Sequence, residues 1–252
     1  MDLGLSGRVF VVTGGSRGLG RASAAALVAE GARVVVSSRS PGSIDEVVAE
    51  LGDSACVGVV ADNADEDTPR RLAAAATGRF GRLDGALISV GGTPPGSVMD
   101  VQDEQWRGAF ESVFLGAVRT ARTLAASLDA GGALAFVLSS SVRQPIAGLS
   151  ISNGLRPGLA MVAKTMADEL GPRGIRIVGL LPGRIDTERI RQLEQLADDP
   201  ASARAAAVAA IPLRRYGTPE EFGAVAAFAL SPAASYLSGV MIPIDGGALR
   251  AL

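Results

Sequence analysis

Seven short runs rich in β-branched residues recur along the chain, at 9–12, 34–37, 57–60, 86–89, 134–138, 175–181 and 240–244. Amphipathic, alanine-rich stretches fill the gaps near 19–30, 43–51, 68–79, 103–128, 155–170 and 219–230. Strands separated by helices do not pair as hairpins. Each crosses over to lie parallel to a neighbour, and the helices cover both faces of the sheet. The pattern predicts an α/β fold built on one doubly wound, seven-stranded parallel sheet.

The chain has 252 residues, 48% of them hydrophobic and 20% charged, enough to bury such a sheet in a single domain spanning 1–252. No repeat or linker interrupts the alternation. The one irregular insertion, about 184–214, follows the sixth strand and is rich in charge and alanine. Ligands of open α/β sheets sit at the carboxyl ends of the strands, so this segment is expected to form a lid over a site. The helix predicted from Leu155 carries Leu155, Leu159, Val162, Met166 and Leu170 as a core-facing stripe.

Several functions are excluded by what is missing. A net charge of −2 without a basic block argues against nucleic acid. The N-terminus MDLGLSGRVFVVTGG is not a signal peptide, and no apolar run reaches transmembrane length, so the expectation is a soluble, cytoplasmic protein with no membrane partner. Cys56 is alone, histidine is absent and Lys164 is the only lysine. Serine–histidine–aspartate chemistry and histidine- or cysteine-based metal sites are therefore ruled out, and no metal is expected.

"VFVVTGGSRGLGRA" runs from strand through a glycine-rich turn into a helix. Gly14, Gly18 and Gly20 let the backbone turn tightly and approach a diphosphate, and the helix N-terminus behind them offers free N–H groups. Ser16, Arg17 and Leu19 complete the turn. An acidic residue at the end of the second strand would grip a ribose 2′-hydroxyl, but this chain has Ser38 and Arg39 there. With Arg17, these suit a 2′-phosphate, so the expected cofactor is NADP(H).

The spacing Thr13-Gly14-x-x-x-Gly18-x-Gly20 resembles the cofactor loop of the short-chain dehydrogenase/reductase family, a Rossmann-type fold, and the resemblance covers essentially the whole chain. It implies adenine contacts from Asp62 and Asn63. "SVGG" stands where the family has Asn-Asn-Ala-Gly, bringing in Ser89 and Gly91. "LLPGRIDTE" resembles its Pro-Gly motif, so Pro182, Gly183, Ile185 and Thr187 would flank the nicotinamide. "IPLRRYGTPEEFG" and "SGVMIPIDGG" resemble its C-terminal signature. The family transfers hydride between a nicotinamide and a small-molecule carbonyl or alcohol. It also forms homotetramers or homodimers through its long helices, and the alanine face Ala160, Ala163 and Ala167 is expected to serve that contact here.

The resemblance also implies a tyrosine acid, a lysine four residues on, an orienting serine and an upstream asparagine. Those positions are Ser152, Arg156, one of Ser139, Ser140 and Ser141, and Val113. A serine hydroxyl is a weak acid, and arginine stays protonated. The expected site therefore uses Arg156 electrostatically and passes protons from water through Ser140 or Ser152. Arg143, Arg156, Arg184 and Arg189 are candidates to border an anionic substrate. Lys164 is expected to face elsewhere, and Tyr216 and Tyr236 to serve packing or subunit contact. Pro157 is expected to delay or kink the helix at Arg156. Three functions remain open: an NADP(H)-dependent oxidoreductase with a non-standard proton donor, a cofactor-binding protein or assembly subunit with little catalysis, and a non-redox lyase or isomerase.

Overall fold

A computed structural model describes residues 1–250; the last two residues of the expected domain lie outside the described residues. Seven strands form one parallel sheet: β1 (Val9–Val12), β2 (Arg33–Ser38), β3 (Cys56–Val60), β4 (Gly85–Ser89), β5 (Ala133–Val137), β6 (Arg176–Pro182) and β7 (Val240–Ile244). Their order is β3-β2-β1-β4-β5-β6-β7, so the direction of winding reverses between β1 and β4. That reversal opens a crevice at the carboxyl ends of the strands, where ligands of such sheets bind.

Each strand feeds both faces because successive side chains point to opposite sides. Val9 and Val11 join one core with Leu72 of α3 (Thr68–Phe80), Leu124 of α5 (Gly116–Ala126) and Leu159 of α6 (Ser150–Leu170). Phe10 and Val12 join the other with Leu27 of α1 (Gly18–Ala29), Val47 of α2 (Pro41–Leu51) and Phe222 of α9 (Pro219–Leu230). The helices therefore cover both faces, as the alternation predicts.

Three expectations need correction. The 103–128 stretch is divided: α4 (Asp103–Ala109) runs through a π-type turn over Phe110–Leu115 into α5. The predicted insertion at 184–214 is two helices, α7 (Glu188–Glu194) and α8 (Pro200–Ala210). The Asp199 side chain accepts from the amides of Ala201 and Ser202, both 3.1 Å, and starts α8 with Pro200 in its first turn.

The third correction concerns α6, which begins five residues before the predicted start and runs through Pro157 without a break. Its first turns are held from outside. Ser150 Oγ donates to the Gly96 carbonyl at 2.9 Å, and the Asn153 side chain exchanges two 2.9 Å bonds with the Ile146 backbone. These anchors offset the N–H that proline lacks. The buried side of α6 is also rotated from the predicted stripe: Ser152, Arg156, Ala160, Ala163 and Ala167 are buried with Leu159 and Met166, while Leu155, Val162 and Leu170 are only half-buried. The alanine face thus packs on the sheet within the chain and is not available for subunit contact. No helix among the described residues is long and apolar enough to cross a membrane.

Candidate functional site

The crevice is a single cavity of about 1200 Å³. Gly14, Ser16, Arg17, Gly18, Leu19 and Gly20 line one end, with Ser38, Arg39, Asp62 and Asn63 beside them. Ser89, Gly91, Pro182, Gly183, Ile185 and Thr187 line the middle, and Ser140, Ser152 and Arg156 lie at the far wall. Residues separated by up to 173 positions meet because most sit at or soon after a strand's carboxyl end, while Ser152 and Arg156 reach it from the buried side of α6. Arg143 is not among the lining residues, whereas Arg184 and Arg189 are.

Local bonding shapes the glycine end. Thr13 Oγ1 donates to the Ser89 carbonyl at 2.8 Å and accepts from the Ser89 amide at 2.9 Å, fixing the ends of β1 and β4 together. Gly14 has φ of +59°, and a Cβ at Gly20 would stand 2.2 Å from the Gly14 carbonyl oxygen. No side chain fits there. The turn is a bare backbone cradle at the amino end of α1, with the shape and dipole suited to a diphosphate. Arg17 and Arg39 stand at the rim in loose surface pairs, Arg17 with Glu188 at 3.4 Å and Arg39 with Asp62 at 3.9 Å. Exposed pairs of this kind contribute little and are readily exchanged for a better anion.

At the far wall, Ser152 and Arg156 share the buried side of α6. The serine hydroxyl lies 3.2 Å from that of Ser141, and Ser141 Oγ also reaches the Ser152 carbonyl at 3.5 Å. Of the three candidates Ser139, Ser140 and Ser141, it is Ser141 that meets Ser152, because Ser139 caps the short turn 140–142 by accepting from the Ser141 amide at 3.1 Å. That cap turns Ser141 inward and leaves Ser140 on the cavity wall. Val113, in the π-type turn, is buried and lines the cavity too.

Arg156 is 7% exposed and donates to the carbonyls of Val137 at 2.7 Å and Gly91 at 3.2 Å. It ties the loop after β4 to the end of β5. Burial pulls its pKa down to about 10, which still leaves it a cation at neutral pH.

The two tyrosines part company. Tyr236 is fully exposed and packs against nothing within the described residues. Tyr216 is buried, and its hydroxyl donates to Glu194 Oε1 at 2.6 Å. Burial foremost, then that bond to Glu194, raises its pKa above the ordinary value. Arg204 pairs with Glu194 and Asp186, both at 3.1 Å, and stacks on the Tyr216 ring. This cluster fastens α7 and α8 to the body of the domain. Lys164 faces away from the cavity and donates to the Gly239 carbonyl at 3.2 Å. Sequence reasoning did not single out Ser141 over its neighbours, nor Glu194, which lines the cavity; neither lies in a motif with a distinguishing signal.

A cofactor-shaped crevice at the winding reversal of a parallel sheet defines a dinucleotide-binding α/β protein. A family profile described as enoyl-(acyl carrier protein) reductase matches residues 14–248, and the chain belongs to the short-chain dehydrogenase/reductase family. It is 33% identical over 250 residues to an uncharacterised oxidoreductase of Mycobacterium tuberculosis, covering 96% of this chain and 92% of that one. It is 34% identical over 256 residues to levodione reductase of Leifsonia aquatica, covering 95% and 93%. The crystal structure of L-sorbose reductase from Gluconobacter frateurii, solved with NADPH and L-sorbose, superposes with a TM-score of 0.94 at 29% identity over the full length of both chains.

Proposed function

We propose that this chain is an NADP(H)-dependent oxidoreductase that interconverts a small carbonyl compound and its alcohol, using serine hydroxyls in place of a tyrosine acid. The carrying observation is the buried Ser141–Ser152 hydroxyl pair, 3.2 Å apart, in which Ser152 lines the cavity with Arg156 and Ser141 lies behind it. The bare cradle at Gly14 and Gly20 supports a bound diphosphate. Arg17 and Arg39, with Ser38, would hold the 2′-phosphate, and Asp62 and Asn63 the adenine. Ser89, Gly91, Pro182, Gly183, Ile185 and Thr187 would hold the nicotinamide and its ribose. Related structures support the choice of cofactor, since L-sorbose reductase was crystallised with NADPH. When bound, the nicotinamide supplies or accepts the hydride.

The residues of the chain do the rest. Arg156, fixed by two carbonyls in a dry wall, stabilises negative charge developing on the substrate oxygen without reorganising. In reduction, the Ser152 hydroxyl gives its proton to that oxygen, Ser141 gives its own to Ser152, and solvent water reprotonates Ser141, with the resulting hydroxide neutralised in the bulk. Ser140, on the cavity wall, offers the water a foothold. An alkoxide is about as basic as a serine oxyanion, so the transfer is close to balanced once the alkoxide forms. General acid catalysis is typically worth about 10²–10⁴-fold, and a serine delivers only part of that. The segment 184–214, pinned by the Glu194–Tyr216–Arg204 cluster, covers the substrate.

A second reading, cofactor binding with little turnover, is favoured by one fact: among the described residues no tyrosine, lysine or histidine lines the cavity. Titration with NADPH and NADH, followed by nicotinamide fluorescence and then by NADPH oxidation against a ketone panel, separates the two. Binding with oxidation supports the enzyme, and binding alone supports the second reading. Exposed Val98, Met99, Phe110 and Met161 support assembly into a homodimer or homotetramer, to be checked by light scattering.

A further inference from the structure

Five arginines and three carboxylates line the cavity, and the carboxylates are all spoken for. Asp62 meets Arg39, Glu188 meets Arg17, and Glu194 meets Tyr216 and Arg204. Arg156, Arg184 and Arg189 have no carboxylate within 4.0 Å among the described residues. Arg156 makes two hydrogen bonds with a group that carries five N–H donors. Arg176, equally buried but away from the cavity, gives its donors to three carbonyls, those of Ala229, Leu237 and Ser231. Arg189 donates to the Thr93 carbonyl at 2.6 Å and lies across Gly92, its Nε 2.7 Å from where a Cβ would stand.

Two guanidiniums therefore grip Gly91 and Thr93, residues at most about 7 Å apart along the chain. They line one cavity, Arg156 buried and Arg189 half-buried, and neither has a carboxylate within 4.0 Å among the described residues. A buried cation without a counter-charge is costly, and two cations held on one short loop repel each other. We infer that this end of the cavity is an anion site, and that the substrate is a carbonyl compound carrying a carboxylate or phosphate, held by Arg189 with Arg184 beside the Arg156 oxyanion position. The inference rests on the oxidoreductase reading for the carbonyl, while the anion site stands on the arginines alone.

The test compares matched ligands by calorimetry and by thermal shift, with and without NADPH. The pairs are 4-oxopentanoate against its methyl ester, and dihydroxyacetone phosphate against dihydroxyacetone. Either anion is expected to bind about ten- to a hundredfold more tightly than its neutral partner. The better of the two identifies the substrate's acidic group. Arg189→Ala removes the preference, Arg189→Lys restores part of it, and NADPH affinity is unchanged in both. The inference is overturned if neither anion outbinds its neutral partner, or if Arg189→Ala weakens NADPH and spares the preference, since the arginine would then serve the cofactor's phosphates. Anion preference in a protein that ignores NADPH would keep the site and remove the oxidoreductase reading.

Discussion

The hydroxyls of Ser141 and Ser152 lie 3.2 Å apart, both side chains buried, where the end of β5 meets the first turn of α6. Their contact is set by two local devices: the Ser139 cap that turns Ser141 inward, and the anchored first turns of α6 that place Ser152 opposite it. In the proposed reaction this pair is the route for the proton.

Ser152→Ala cuts that route while leaving a small buried side chain. We expect kcat to fall by about tenfold or more, within the range that loss of general acid catalysis spans, with NADPH affinity unchanged. Ser141→Ala lowers kcat in the same direction. Stopped-flow NADPH oxidation reads both, and an unchanged Ser152→Ala rate would remove the hydroxyl pair from the mechanism.

In the proposed reading the rim arginines carry cofactor choice. Arg39→Ala is expected to weaken NADPH by roughly tenfold, the low end of a charge-assisted hydrogen bond at an exposed position, and to leave NADH unaffected. Fluorescence titrations with the two nucleotides measure the ratio. Equal losses for both would place Arg39 away from the 2′-phosphate.

Gly20→Ala puts a methyl group 2.2 Å from the Gly14 carbonyl oxygen, so the turn must open. The expected cost is about 1–3 kcal/mol of stability, together with loss of nucleotide binding. Thermal unfolding and NADPH titration report the two effects separately.

Most of the fold was legible because its signals are local. β-branched runs placed all seven strands within a residue or two, and glycine spacing placed the cradle. The start of α6 was misread because Pro157 is a strong local stop, while the contacts that override it reach Gly96, Val137 and Ile146. The alanine face of α6 was assigned outward because a stripe of small residues reads alike whether it meets a partner or its own sheet. At the site, Ser152 and Arg156 were picked out by the motif positions of the resemblance, and it is the unbroken start of α6 that puts both on the buried side. The choice of Ser141 depends on a side-chain cap, and the Glu194–Tyr216 contact joins residues 22 apart, so neither leaves a periodic trace.

Acid stability gives a prediction remote from the site. The Glu221 carboxyl is held from its ordinary 4.5 down to about 2, chiefly by its bond to Arg215 and then by the Thr218 amide it caps at the start of α9. A depressed carboxyl contributes fully above pH 4.5, and its contribution fades as pH falls from there toward 2. Glu221→Gln should therefore flatten the pH dependence of unfolding in that window and leave the profile above it parallel to the parent. Denaturant titrations across pH 2–6 decide it, and an unchanged slope would show that the pairing does not stabilise the folded state.

The central claim is hydride transfer without a tyrosine acid. It is tested most directly by incubating the protein with NADPH deuterated at one face of nicotinamide C4, against the ketone and keto-acid panel, and examining the alcohols by mass spectrometry. The account predicts deuterium on the carbinol carbon from one face of the nicotinamide only, with transfer slowed in Ser152→Ala. NADPH that binds yet leaves every carbonyl unlabelled would contradict it and leave a cofactor-binding protein in its place.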